Sequence, residues 1–147
     1  MPLAVDELLD EVRLLWHAMV QIGERLHANE PVTLGMRGVL EFLARHGPAT
    51  VPYIARSRHV TRQHIQGLVD ALLELHLVVL EENPAHRRSV LVRSTPGGDK
   101  VIDRMRRREQ RFFEEAGLGR KPDELRRAAN TLRTVRTALE AGHDHRP

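Results

Sequence analysis

Between residues 47 and 94 the hydrophobic period of the chain changes once, from helical to alternating, and no other feature limits the fold as tightly. The stop signal Gly47-Pro48 is followed by Thr50, with Pro52 in a first turn and Tyr53 and Ile54 as apolar positions. A short helix fits here and cannot outlast Ser57-Arg58-His59. Next comes Thr61, a good N-cap, with Val60 and Ile65 at the two positions of a hydrophobic staple. A second helix therefore starts at Thr61, burying Ile65, Leu68, Val69, Leu72 and Leu75 and leaving Arg62, Gln63, Gln66 and Asp70 opposite. Residues 77–82 then read as a strand, Asn83-Pro84-Ala85-His86 is turn chemistry, and residues 89–94 form a second strand with Val90 and Val92 alternating against Leu91 and Arg93. Two short helices joined by a tight turn, the second with Arg and Gln at its exposed start, make a helix-turn-helix. The hairpin behind it, with Arg87 and Arg88 at its tip, is a wing.

The flanks are helical. Val5, Leu8, Val12, Leu15, Met19, Ile22 and Leu26 step by three and four, a heptad seam on a helix predicted over residues 6–29 and ended by Pro31. A second helix follows the N-cap Thr33 through Met36, Val39, Leu40 and Leu43, where Gly35 and Gly38 weaken it or mark the close approach of a neighbour. Thr95-Pro96 offers an N-cap with proline at the first helical position, opening a helix with Val101, Met105 and Phe112 that breaks at Gly117-Leu118-Gly119. The last helix begins near Pro122 and aligns Leu125, Ala129, Leu132, Val135 and Leu139. The expected fold class is mainly α (α+β): one domain of 147 residues, with a winged helix-turn-helix module at 33–95, dimerisation helices at 1–30 and 97–141, and a tail at 142–147.

Charge is divided along the chain in a way the net value of +3 hides. Residues 1–35 hold six acids against Arg13 and Arg25, whereas residues 42–69 contain no acid at all and carry Arg45, Arg56, Arg58 and Arg62 with His46, His59 and His64. A surface of one sign interspersed with small polar groups suits a polyanion, because each neutralised phosphate releases condensed counterion. Of the 23 basic residues only Lys100 and Lys121 are lysines, and Arg favours planar, bidentate contacts with phosphate or guanine. The absence of cysteine removes disulfides, thiol nucleophiles and Cys-ligated zinc. The acidic start and the lack of a long apolar run point to a soluble, cytoplasmic protein with no membrane partner.

The segment at 47–100, above all HVTRQHIQGLVDALLELHLVV followed by ENPAHRRSVLVRSTPGGDK, resembles the MarR family of bacterial transcriptional regulators, and the flanking helices match that family's layout. The resemblance implies a recognition helix in the major groove of double-stranded DNA and a wing-tip arginine in the minor groove. The wing pattern of the family, D-P-x-D-R-R, corresponds here to Asn83, Pro84, Ala85, His86, Arg87 and Arg88, with both acids replaced. His76 stands where the family usually ends its recognition helix with glycine. A homodimer on a pseudo-palindromic operator is implied as well, and two helical seams in a chain with five aromatics agree with that independently.

The candidate site is accordingly Thr61, Arg62, Gln63, His64 and Gln66 on the recognition helix, His86, Arg87 and Arg88 on the wing, and Arg56 and Arg58 for the DNA backbone. The resemblance also implies release of DNA by a small aromatic or anionic effector, for which Trp16, His17, Met36 and Arg45 are the candidate cleft. No cofactor or metal site is expected; the His143-Asp144-His145 cluster lies in the tail, and His59 and His64 do not face one another. No HExxH, nucleophile elbow or phosphate-cradling loop appears, so the chain is read as a repressor and not an enzyme. The alternatives are a winged-helix protein–protein interaction module that has lost DNA binding and a metal-responsive regulator.

Overall fold

The computed structural model describes residues 2–143, so residues 144–147 of the expected tail, with Asp144 and His145, lie outside the described residues. The elements run α1 (Pro2–Leu26), α2 (Leu34–His46), α3 (Val51–Ser57), α4 (Arg62–Glu74), β1 (Val78–Glu82), β2 (Val90–Ser94), α5 (Pro96–Glu115), a 3₁₀ turn at Leu118–Arg120, and α6 (Pro122–His143). The described chain forms two compact units divided after Arg108.

In the first unit every helix from α2 to α5 starts on a threonine. Thr33, Thr50, Thr61 and Thr95 accept from the backbone N–H groups of Met36, Tyr53, His64 and Gly98, which satisfies one orphan donor at each helix start. The core they enclose is aliphatic: Val39, Leu40, Ile54, Ile65, Val69, Leu72, Val78, Val92, Ile102 and Met105 are almost wholly buried. Leu75 is the exception to the expected buried side of α4; it caps the helix and is 40% exposed.

β1 and β2 pair antiparallel with Val78 opposite Ser94 and Glu82 opposite Val90. Only the base of this hairpin enters the core, through Val78 and Val92, while Leu80 and Val90 stay exposed. The sequence pattern did not reveal that Ala49, just before α3, exchanges both backbone hydrogen bonds with Val92 (3.1 and 2.8 Å). This bridge ties the start of α3 to the wing.

α1 begins earlier than the heptad predicts and ends at Leu26, ahead of Pro31. Its end is fixed from a distance. Arg108 Nη1 donates to the Leu26 carbonyl at 3.0 Å, satisfying an acceptor that the last helical turn leaves open. Glu30, its side chain only 4% exposed, receives Arg104 through Nε and Nη2 (3.2 and 2.7 Å) and Arg108 at 3.2 Å. These cations hold the Glu30 carboxyl below its ordinary value, the Arg104 hydrogen bond contributing most, against the opposing effect of burial. Of the seam residues, Val5, Val12, Leu15 and Met19 are exposed.

The second unit contains the end of α5, the 3₁₀ turn and α6. Gly117, at a φ of 72°, turns the chain out of α5. Leu125, Leu132 and Leu139 of α6 are exposed, with Val135 half-buried.

Candidate nucleic-acid interface

Both helices of the helix-turn-helix end in the same way, and each end depends on a histidine in an unusual backbone conformation. α3 is capped by Arg58; His59 follows at a φ of 54°, its N–H donating to the Arg56 carbonyl (3.2 Å) while Val60 N–H reaches Ala55 (3.1 Å). α4 repeats the geometry. His76, at a φ of 56°, donates to Leu73 (3.0 Å), and Leu77 N–H reaches Leu72 (3.0 Å). Each is a Schellman motif, in which a left-handed residue lets two further N–H groups satisfy the last carbonyls of the helix. His76 thus takes the conformation expected of the family's glycine at this place, and His59 shares it without having been foreseen. Polar side chains enter this region more readily than β-branched ones, which is the only trace of it in the sequence.

Between these two ends α4 presents Arg62, Gln63, His64 and Gln66 on exposed positions. Among the described residues no hydrogen bond or ion pair engages Arg62, Gln63 or the His64 ring. Gln66 is different: its Nε2 donates to Asp70 Oδ1 at 2.8 Å, one turn on, so one of its amide donors is occupied by the helix itself. Thr61 spends its hydroxyl oxygen on the helix cap.

The two arginines assigned to the DNA backbone part company. Arg56 is exposed on the last turn of α3. Arg58 turns back into the module, where Nη1 donates to the Gly38 carbonyl at 2.9 Å. Its guanidinium fills the space a β-carbon at residue 38 would need, which accounts for the glycine in α2. Arg58 therefore works first as a tie between α2 and the turn.

At the wing tip Asn83, at the place of the family's first acid, organises the loop through both ends of its amide. Its Oδ1 accepts from Ala85 N–H (3.0 Å) in an Asx turn, and its Nδ2 donates to Ser89 Oγ (3.0 Å) across the loop. The Ser89 hydroxyl donates in turn to the His86 carbonyl at 3.1 Å, so Ser89 belongs to the wing machinery although the sequence pattern gave it no role. The backbone of the tip is held without carboxylates. Arg87 and Arg88 are exposed, and among the described residues no acid pairs with either. Below them Arg93 Nε binds Glu81 at 2.7 Å across the hairpin.

The candidate effector residues have unlike environments. Trp16, His17 and Arg45 are exposed, Trp16 at 63%, whereas Met36 is buried in the core. Met36 therefore packs the module and does not line an open cleft in this chain. Among the described residues no group of three or more His, Asp or Glu is placed to hold a metal, and no helix is long and apolar enough to cross a membrane.

A capped recognition helix, a turn and a two-stranded wing define a winged helix-turn-helix protein. Residues 37–89 match the profile of the MarR family. The whole chain superposes on a MarR family transcription regulator, SP03579, with a TM-score of 0.83 at 25% identity over 99% of both chains. Staphylococcus aureus MarR, solved in complex with salicylate and kanamycin, shares the fold with a TM-score of 0.83 at 17% identity over 95% of this chain and 94% of that one. The segment at 37–89 is thus similar to the MarR family, and the chain shares the winged-helix fold of MarR family regulators. It is also 33% identical over 92 residues to the uncharacterized protein Rv2011c of Mycobacterium tuberculosis, a match that spans 63% of this chain and 64% of that relative's length.

Proposed function

We propose that the protein is a sequence-specific, double-stranded DNA-binding repressor that acts as a homodimer on a pseudo-palindromic operator and leaves it on binding a small effector. One observation carries this reading: Arg62 and Gln63 at the capped, exposed start of α4, and Arg87 and Arg88 at the wing tip, are unengaged among the described residues, and residues 42–69 contain no acid. In the reading, α4 lies in the major groove, where Arg suits guanine and Gln suits adenine, and the wing arginines follow the backbone into the minor groove. The protein acts by binding and not by catalysis. Asn83 and His76 occupy the places of the family's acid and glycine with the local geometry intact, which speaks against a winged module that has lost DNA binding.

The exposed apolar residues of α1 and α6 support the homodimer, since Val12, Leu15, Met19, Leu132 and Leu139 each keep more than a third of their surface exposed among the described residues. The salicylate bound by the S. aureus relative supports an aromatic, anionic effector, with Trp16, His17 and Arg45 as its candidate contacts. The chain has a single Trp, so titrating salicylate against both Trp16 emission and operator affinity tests this part, and no change in either overturns it.

Gel shifts with a duplex from the region upstream of the protein's own gene test the DNA reading. If a dimer neutralises about 6–8 phosphates, affinity falls about 10³–10⁴-fold between 50 and 200 mM salt. A flat salt response overturns it.

A further inference from the structure

Glycine in a helix interior is destabilising by about 0.5–1 kcal/mol relative to alanine, so such a residue calls for a reason. In α2 the reasons are visible: a β-carbon at Gly35 would press on the Leu68 side chain, and one at Gly38 on the Arg58 guanidinium. Gly67, at the middle of α4, has none. A β-carbon there meets nothing within 4 Å, and its φ is not in the left-handed range. The residue is exposed and lies opposite the buried Ile65, Val69 and Leu72, one turn from Gln63, His64 and Asp70. The helix therefore carries a bare stretch of backbone at the centre of its outer face, although the fold would accept a side chain there.

Two neighbours shape this gap. Gln66, beside Gly67, is held along the helix by its 2.8 Å hydrogen bond to Asp70 instead of extending over the bare turn. Upstream, Gln63 stands clear one turn away on the same face and Arg62 stands clear at the N-terminal end of the helix, both within the acid-free stretch at 42–69. A polyanionic partner of groove-like shape fits that combination of charge at one end and a recess at the middle.

We infer that Gly67 is the point of closest approach between α4 and the major groove of duplex DNA, its missing side chain allowing base edges to come against the helix backbone, with Asp70 as a positioning residue that keeps the Gln66 amide out of that space. This rests on the DNA-binding reading and adds to it the depth to which the helix enters. The recess, and not a further charged contact, sets how far Arg62 and Gln63 reach.

The test uses the full chain and a duplex selected by the wild-type protein from a pool of randomised 30-bp duplexes. Gly67→Ala is measured for melting temperature and for affinity across a salt series. The expected result is opposite movement: a melting point higher by about 2–4 °C, because alanine favours the helix, and DNA affinity lower by about tenfold or more. The slope of log affinity against log salt stays at the wild-type value, because a steric block leaves every phosphate neutralised as before. Asp70→Asn, which keeps a hydrogen-bond acceptor for Gln66, retains more affinity than Asp70→Ala. Equal affinity for wild type and Gly67→Ala, or a flatter salt slope in the variant, overturns the inference while leaving the DNA-binding reading intact. Failure of the wild type to select any duplex overturns both.

Discussion

The hydroxyl of Thr95 donates to the carbonyl of His76 at 2.8 Å, across nineteen positions of sequence, while its oxygen accepts from Gly98 N–H at 3.2 Å. The Thr95 N–H also reaches the Leu77 carbonyl at 3.0 Å. One residue thus caps α5, closes the base of the wing and holds the left-handed histidine that ends the recognition helix. The clamp ties the end of α4, the base of the wing and the start of α5 to one another.

Replacing Thr95 with valine keeps the shape and removes both hydroxyl hydrogen bonds. The expected loss is about 1–2 kcal/mol, from the helix cap and from a carbonyl left without its donor. Urea denaturation checks it. Thr95→Ser, which keeps the hydroxyl, recovers most of the difference; a valine variant as stable as wild type removes the clamp from consideration.

His76→Gly addresses the other half of the pair. An L-residue in the left-handed region bears a cost of about 1–2 kcal/mol that glycine avoids, offset in part by the larger entropy glycine loses on folding. The Schellman hydrogen bonds involve only backbone and survive the change. A small rise in stability, below about 1 kcal/mol, is expected in the same denaturation experiment. A fall would mean that the imidazole makes a stabilising contribution of its own.

These helix ends also mark how far the sequence could be read. The threonine caps at Thr33, Thr61 and Thr95, the helix start after Thr50 and the turn at Asn83 were legible because each is closed by atoms two or three residues away, and the residue type announces the bond. The Ala49–Val92 bridge, the turning back of Arg58 onto Gly38 and the burial of Glu30 beneath Arg104 were not, because each joins segments whose proximity only the folded core creates. Arg58 shows the limit most clearly. Its type and its place beside the turn fit a phosphate contact, and nothing local distinguishes it from Arg56.

The Glu30 cluster ties part of the acid stability to one carboxylate. Its value in the folded protein is depressed below the ordinary 4.5, chiefly by the Arg104 hydrogen bond, so the unfolded chain binds the proton more readily. Its contribution is therefore fully present above pH 4.5 and is lost as pH falls from there through the depressed folded value. Glu30→Gln should flatten the acid side of a melting-temperature profile measured between about pH 3 and 6. Parallel profiles for wild type and Glu30→Gln would show that other carboxylates dominate.

On the proposed DNA surface the helix and the wing should fail differently when altered. Arg62 stands at the capped start of α4 with no partner among the described residues, a position suited to bidentate contact with guanine, so Arg62→Ala is expected to cost about 1–3 kcal/mol of specific binding and to relax preference at one base position. Arg87 and Arg88 are exposed on a tip that Asn83 and Ser89 tie together by hydrogen bonds without help from an acid. Their removal takes away cationic charge near the phosphates and not base recognition in the major groove. Arg87→Ala and Arg88→Ala should weaken binding to all duplexes alike and lower the salt slope by about 1 for each phosphate that is no longer neutralised. Competition between the selected duplex and random duplex at two salt concentrations separates the cases: Arg62→Ala narrows the ratio of specific to random affinity, and the wing variants leave that ratio standing while both affinities fall. A wing variant that narrows the ratio as Arg62→Ala does would assign base reading to the tip as well.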